Sequence, residues 1–228
     1  MAMTCFTNWY YIPAGGYAKA KGLLTYLQYR DDRDTHIPGA GGPDRWTDCG
    51  LGRGWREILS SATELENRKT NTLLRSLVIR PPQEQIADLE HVDPDRWSDR
   101  RELMHELVER VMDAERERRG IQWPGGTQPM DLPYSYVLHA PNDKNGVESL
   151  HAHVIVPAMD RDGERAFNVY PQDVQHTRQV AERETERLFE LERVRERQPE
   201  LEKAQELQPD MELEGLALEI PFHDFHGR

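Results

Sequence analysis

Two short segments decide the fold and function that this sequence predicts: Leu138-His139, and, after a turn-rich gap, Leu150-His151-Ala152-His153-Val154-Ile155-Val156. Side chains alternate between the faces of a β-strand, so His151 and His153 point to one face and the valines that follow them to the other. The gap contains a proline and an Asn-Gly pair, which favour a chain reversal. The strand that ends at His139 is therefore predicted to pair with the strand that carries the other two histidines.

Three imidazoles on two paired strands are expected to converge on one metal ion, because imidazole is the commonest metal ligand near neutral pH. Imidazole suits Zn, Cu, Ni and Fe better than Mg or Mn. Three protein ligands leave a coordination position open, which is typical of a catalytic site and not of a structural one. A cation held in this way acts as a Lewis acid on a carbonyl or phosphoryl oxygen. The alternative is that the histidines are polar groups of the core.

Length and composition are consistent with one sizeable domain and an appendage. The chain has 228 residues, of which 31% are charged, and a net charge of −12. Residues 1–80 contain 11 Lys or Arg against 8 Asp or Glu, whereas residues 181–220 contain 6 against 13. The acidic excess therefore lies largely towards the C-terminus, and it lowers the expectation of DNA binding without excluding it. We predict a first domain over residues 1–170 and a charged helical extension over residues 171–228.

Several functional classes are disfavoured by simple features of the sequence. No apolar run approaches the roughly 20 residues that cross a bilayer, so no membrane insertion is expected. The N-terminus lacks the basic and apolar regions of a secretion signal. Cys5 and Cys49 alone form neither a disulfide framework nor a zinc finger. The sequence therefore predicts a cytoplasmic protein.

The order of the predicted elements indicates an α+β fold. From residue 73 onward, strand, helix, strand, strand and helix predict an antiparallel sheet with helices packed on one face, followed by a charged C-terminal helical segment. Apolar periodicity and turn residues predict these elements: a strand over Asn8–Ile12, a helix over Tyr17–Arg30, a surface loop over Asp31–Gly54, a helix over Trp55–Thr70, a strand over Leu73–Arg80, a helix from Ser98 to Arg119 that stops at Gly120, and one or two helices over residues 172–207 that are broken at Pro199.

The first predicted helix carries a candidate nucleophile. Tyr26 and Tyr29 are three residues apart, so one helix face can present both to a common cleft. A tyrosine oxygen can attack phosphorus and form a covalent intermediate. Spacing alone favours a structural interpretation, in which Tyr26 packs in the core and Tyr29 lies on the surface at the helix end.

These motifs together resemble those of the relaxases, the mobilisation nucleases of the HUH endonuclease superfamily, and especially the plasmid mobilisation and T-DNA border-nicking type. Leu24–Asp31 is similar to the family's Leu-x-Tyr-Ile-x-Arg-Asp segment. His139 and Leu150–Val156 are similar to its single histidine and its Pro-His-x-His-Val-x-Val motif. Ser76–Pro81 is a looser counterpart of a strand that lies between them, so that the resemblance spans about residues 10–165.

The resemblance implies a relaxase-like, ferredoxin-like core and metal-dependent nicking and rejoining of single-stranded DNA. It implies that His139, His151 and His153 hold a divalent cation, with Mg or Mn the usual choice in the family. Tyr26 would attack the phosphate and leave a 3′-hydroxyl and a 5′-phosphotyrosine, with Tyr29 the neighbouring candidate. The partners would be single-stranded DNA at a transfer origin and accessory relaxosome proteins. Candidate phosphate contacts are Lys19, Lys21, Arg30, Arg33 and Arg80, and candidate base-stacking residues are Trp9, Tyr10 and Tyr11.

Two alternatives remain open at this level, and Ile155 excludes a third. A replication initiator or transposase of the same superfamily usually carries its tyrosine after the histidine pair, which makes Tyr170 a competitor. A histidine-triad hydrolase needs a third histidine where this sequence has Ile155. A non-enzymatic protein would use the acidic segment Glu182–Glu219 to bind a basic partner and the histidines as a structural metal site.

Overall fold

The computed structural model describes residues 5–35, 45–67, 69, 71–82, 97–122, 127–140 and 149–206. The chain divides into two units, Met1–Phe189 and Glu190–Arg228. The predicted boundary after residue 170 stays a prediction, although the first turns of the last helix belong to the first unit. The elements are β1 (Phe6–Ile12), α1 (Tyr17–Thr35), β2 (Trp46–Cys49), α2 (Trp55–Glu64), β3 (Leu74–Arg80), α3 (Trp97–Gln122), β4 (Tyr134–His139), β5 (His151–Pro157) and α4 (Pro171–Glu206).

The five strands form one antiparallel sheet in the order β1-β3-β5-β4-β2. β5 is the central strand, and its two neighbours satisfy its backbone groups on both sides. β4 and β5 pair as the sequence predicted, with His139 opposite His151 and Val137 opposite His153. Because directly opposite residues share a face of an antiparallel pair, this register places all three histidines on one side of the sheet.

Helices cover both faces of the sheet. On one face, α3 and α4 pack against a core that includes Leu77, Val111 and Val154. On the other face, α1 and α2 pack against a second core that includes Leu24 and Ile155. The predicted α+β class is confirmed. The prediction of helices on one face holds for the two helices that follow residue 73, whereas the two N-terminal helices cover the face that carries the histidines.

Five features of the predicted elements were wrong. α1 continues to Thr35, and β2 lies inside the predicted loop because its edge pairing with β4 buries Trp46. α2 ends at Glu64, since Asn67 and Thr72 exchange two backbone hydrogen bonds of 2.9 Å and close a turn there. α3 continues past Gly120 to Gln122, and the glycine instead leaves room for the backbone of residues 128 and 129, which a Cβ would meet. The predicted break at Pro199 was also wrong, because α4 continues through it to Glu206.

A buried ion network joins α3 to the first turns of α4. Glu115 is fully buried, accepts a hydrogen bond from Arg118 at 2.8 Å and another from the Thr177 hydroxyl at 2.8 Å. Arg118 also donates to the buried Asp173 at 2.7 Å. Each buried charge therefore has an opposite charge beside it, which is the condition for keeping ionised groups inside a protein.

Among the described residues, no helix combines the length and the apolar character needed to cross a membrane.

Replacing Glu115 tests whether this network holds the two helices together. Glu115→Ala leaves the Arg118 guanidinium with one buried partner fewer, so we expect a loss of about 3–5 kcal/mol in the free energy of unfolding. Urea denaturation measures it. The control is Glu182→Ala, which removes the i,i+4 pair with Arg178 on a more exposed part of α4 and should cost less than about 1 kcal/mol. Equal losses in the two variants would contradict the prediction.

Candidate metal centre

The three histidines meet where β4 ends and β5 begins. His139 is the last residue of β4, and His151 is the first residue of β5. One nitrogen from each ring of the three lies within 4.8 Å of the others. The ring centroids are 5.7 Å apart for His139 and His151, 5.1 Å for His139 and His153, and 5.0 Å for His151 and His153. The predicted convergence of the rings is therefore present in the structure.

Backbone carbonyls orient two of the rings. His139 Nε2 lies 2.8 Å from the carbonyl oxygen of Leu27 in α1, and His151 Nδ1 lies 2.7 Å from that of Ser149. A carbonyl oxygen only accepts hydrogen bonds, so each of these nitrogens carries the proton. The lone pairs are then on His139 Nδ1 and His151 Nε2, which are the atoms that can bind a metal. In metal-binding histidines, a hydrogen bond from the ring nitrogen that does not bind the metal commonly fixes the orientation of the ring.

The third ring carries a buried nitrogen that lacks a hydrogen bond. Nε2 of His153 has no hydrogen-bond partner within the described part of the chain. Burial, together with the electrostatic effect of His151, His139 and Arg30, lowers the pKa of His153 to about 2. The ring is therefore neutral and able to act as a ligand. A buried, unsatisfied imidazole nitrogen beside two oriented lone pairs fits a divalent cation held by three histidines.

Arg30 of α1 lies against the same lone pairs. Its Nη1 is 3.3 Å from His151 Nε2 and 3.5 Å from His139 Nδ1. A metal ion bound by imidazole stands about 2.0–2.1 Å from each nitrogen, so it would occupy much of the space that Nη1 takes here. The two cations also repel each other. Arg30 and a bound metal therefore exclude each other in this position, and metal binding requires the guanidinium to move.

The guanidinium also connects the histidines with Tyr26. The Arg30 guanidinium carbon lies 5.7 Å from the centre of the Tyr26 ring, within the range of a cation–π contact. Tyr26 is 39% exposed and Tyr29 is 42% exposed, and both line the same shallow groove along α1. The interpretation of Tyr26 as a core residue was wrong, because α1 buries Leu24 and Leu27 towards the sheet and turns the two tyrosines away from it.

The remaining basic candidates differ in their surroundings. Lys19 is exposed on α1, whereas Lys21 lies on the Trp55 ring, with Nζ 5.3 Å from the ring centre. Arg80 is exposed at the end of β3 and shares a face with Val78, the Cα partner of His153. Arg33 belongs to α1, but its side chain lies outside the described part of the structure. These roles as phosphate contacts stay predictions.

Tyr170 is on the other side of the sheet from the histidines. Its backbone N–H donates to Asp173 at 2.7 Å, and Asp173 pairs with Arg118 of α3, the helix that covers the opposite face. The competitor to Tyr26 is thus far from the candidate metal ligands in the fold, across the layer of strands.

The three candidate base-stacking residues on β1 have different surroundings. Trp9 packs against Phe167, with ring centres 5.5 Å apart, and its indole N–H donates to Thr177 at 3.1 Å. Tyr10 and Tyr11 are exposed on opposite faces of the strand. Phe6 was missed as a candidate, although the alternation Phe6-x-Asn8-x-Tyr10 in the sequence indicates that it shares a face with Tyr10.

Comparison with known proteins supports the same fold. No protein-family model and no curated protein matches the sequence. Among solved structures, the chain is similar to the metal-bound structure of the conjugative relaxase TrwC in complex with oriT DNA, at 15% identity and a TM-score of 0.51, over 81% of this chain and 70% of that chain. The chain has a relaxase fold. The copper-bound structure of the TrwC–oriT complex gives 14% identity and a TM-score of 0.50 over the same shares. At this identity the likeness concerns the fold, and it confirms the resemblance at that level.

The position of Arg30 in this relaxase fold predicts a measurable competition. Arg30→Gln removes a cation from the ligand atoms, so we expect Mn²⁺ or Zn²⁺ to bind about tenfold or more tightly, since a hydrogen bond to a charged group contributes about 1.5–3 kcal/mol. Isothermal titration calorimetry measures the dissociation constant. Lys19→Gln removes the same charge from the same helix and should leave it unchanged, whereas His153→Ala should abolish binding. Unchanged or weaker metal binding by Arg30→Gln would refute the competition.

Proposed function

We propose that this protein nicks and rejoins single-stranded DNA through a covalent bond between Tyr26 and a 5′-phosphate, with a divalent cation held by His139, His151 and His153. One observation carries the proposal: a single side chain, Arg30, contacts two of the three candidate ligands and the ring of Tyr26. A phosphate bound at the cation would therefore lie close to a phenol, in a relaxase fold. Mg and Mn are the cations that we propose.

The reaction is a transesterification in which no bond energy is lost. The Tyr26 oxygen attacks phosphorus and its proton is released, the bond from phosphorus to the 3′-oxygen breaks, and that oxygen takes up a proton and becomes a 3′-hydroxyl. The cation supplies Lewis-acid polarisation of the phosphate oxygens. The guanidinium of Arg30 lies 5.7 Å from the centre of the Tyr26 ring, and its fixed positive charge would stabilise negative charge that develops near the phenol. Rejoining is the reverse reaction.

Single-stranded DNA at a transfer origin is the proposed substrate, and accessory relaxosome proteins are the proposed partners. The net charge of −12 does not contradict this, because the N-terminal 80 residues carry more basic than acidic side chains. Lys19 and Arg30 lie on α1, and Arg80 ends β3. We propose that these three side chains contact phosphates of the DNA backbone. The structural relatives of the fold were solved with oriT DNA.

The structure gives less support to the competing chemistries. Ile155, which stands where a histidine-triad hydrolase needs a histidine, is fully buried in the core under α1 and α2. Tyr170 directly precedes α4 and lies on the opposite face of the sheet from the histidines. These two placements favour Tyr26, with Tyr29 the nearest competitor on the same groove.

Three tyrosine variants test the identity of the nucleophile. Tyr26→Phe removes the attacking oxygen and keeps the ring that contacts Arg30, so we expect the nicking rate to fall by about 10³-fold or more while the protein stays folded. The assay incubates a labelled pool of single-stranded oligonucleotides with the protein and Mn²⁺, and it detects DNA that stays linked to protein under denaturing conditions. Mass spectrometry of the adduct identifies the tyrosine.

Two control variants distinguish Tyr26 from the other candidate tyrosines. Tyr170→Phe removes an exposed phenol from the other side of the sheet and should nick at the wild-type rate. Tyr29→Phe should retain the covalent adduct on Tyr26. An adduct on Tyr29 or Tyr170, or nicking by Tyr26→Phe at the wild-type rate, would overturn the assignment. Absence of any adduct with wild-type protein over the whole pool would favour the non-enzymatic interaction protein instead.

A further inference from the structure

We propose that Phe6 and Tyr10 of β1 form a base-stacking surface that binds the single strand beside the metal centre. The inference rests on the proposed function and adds to it the residues that hold the bases of the substrate. It is carried by the sheet register and by the exposure of the two rings. The proposal assigns base stacking to Tyr10 and not to its neighbours Trp9 and Tyr11, which lie on the other face of β1.

The two rings lie on the face of the sheet that carries the histidines. Residues of β1 alternate between faces, so Phe6 and Tyr10 share a face with Ile12, which is buried in the core under α1 and α2. Asn8 stands between the two aromatic residues and is opposite Val78, which is itself opposite His153. One row of residues across three strands therefore leads from β1 to the candidate metal ligands.

A second row runs from Phe6 to the other two histidines. Phe6 is opposite Arg80, and Ile79 is opposite Ala152, so continuing the register by one residue puts Arg80 beside His151, the partner of His139. Neighbouring strands are about 4.8 Å apart, so β1 lies about 10 Å from β5. A base in the same strand of DNA, close to a phosphate at the histidines, can therefore reach Phe6. Tyr10 lies about 13 Å further along β1, by the rise of a strand.

The exposure of the two rings gives the surface its binding capacity. Phe6 is 53% exposed and Tyr10 is 54% exposed, whereas Trp9, on the far face of β1, is packed against Phe167. Exposed aromatic rings stack on unpaired bases and contribute about 1–3 kcal/mol for each base. Arg80, exposed between Phe6 and the histidines, adds the positive charge that a phosphate backbone requires. The two rings and the positive charge thus lie on the same face of the sheet as the three histidines.

The affinity for single-stranded DNA, measured without divalent cation, tests this surface independently of nicking. We expect Phe6→Ala and Tyr10→Ala each to weaken binding of a fluorescent single-stranded oligonucleotide by about 5- to 100-fold in fluorescence anisotropy, as the loss of one stacked base predicts. Phe6→Trp keeps an aromatic ring and should bind within about twofold of wild type. A thermal melt confirms that each variant is folded.

Tyr11→Ala is the matched control. Tyr11 is 64% exposed on the same strand, but it points to the opposite face, so its removal should leave DNA affinity unchanged. The proposal is overturned if Tyr11→Ala weakens binding as much as Tyr10→Ala, or if neither Phe6→Ala nor Tyr10→Ala changes it in folded protein. It is equally overturned if these variants only dissociate an oligomer in sedimentation, because β1 would then be a protein interface.

The outcome also separates this proposal from the nickase proposal. If Phe6→Ala and Tyr10→Ala bind DNA normally while wild-type protein forms the Tyr26 adduct, only the stacking surface fails. If the protein binds single strands through Phe6 and Tyr10 and never forms an adduct, only the nicking chemistry fails. Abasic nucleotides placed at successive positions in the oligonucleotide should abolish the effect of Phe6→Ala at one position close to the nick.

Discussion

The antiparallel pairing of β4 with β5 is the constraint on which the rest of the site depends. With His139 opposite His151, the hydrogen bonds of the ladder hold two imidazoles side by side, and the alternation of β5 adds His153 on the same face. A slip of the register by one residue would turn the side chains of one strand to the other face and separate the rings. The central position of β5 fixes this register, because its valines must point into the core that α3 and α4 cover.

α1 couples this register to the candidate chemistry. Its inner side buries leucines against the sheet, and the carbonyl of one of them, Leu27, orients His139. One turn further along the helix, Arg30 reaches two histidines and the ring of Tyr26. Orientation of a ligand, a fixed positive charge and a phenol are therefore supplied by consecutive turns of a single helix. The proposed nucleophile and the group that orients His139 therefore lie on the same helix.

The two faces of the sheet differ in their packing and in the residues that they expose. The α3 and α4 face is closed by a large apolar core and by the ion network around Glu115, so it stabilises the strands. Within the described residues, α1 and α2 bury part of the other face, and the rings of Phe6 and Tyr10 are exposed on this same face. An open sheet face next to a polar centre is where a long, flexible polymer can lie. One face of the sheet therefore contributes most to stability, and the other carries the candidate metal ligands.

The sequence by itself determined the α+β class, the hairpin and the shared face of His151 and His153, because strand alternation and turn chemistry are local properties. It also placed Tyr26 and Tyr29 on one helix. Only the tertiary structure decided that α1 lies over the histidines, that Arg30 contacts them, that Tyr170 lies across the sheet, and that Trp9 is packed while Phe6 and Tyr10 are exposed. These depend on strand order and on helix packing between residues more than 100 positions apart, which no local pattern specifies. β2 was missed for the same reason, since four residues form a strand there only because β4 offers an edge.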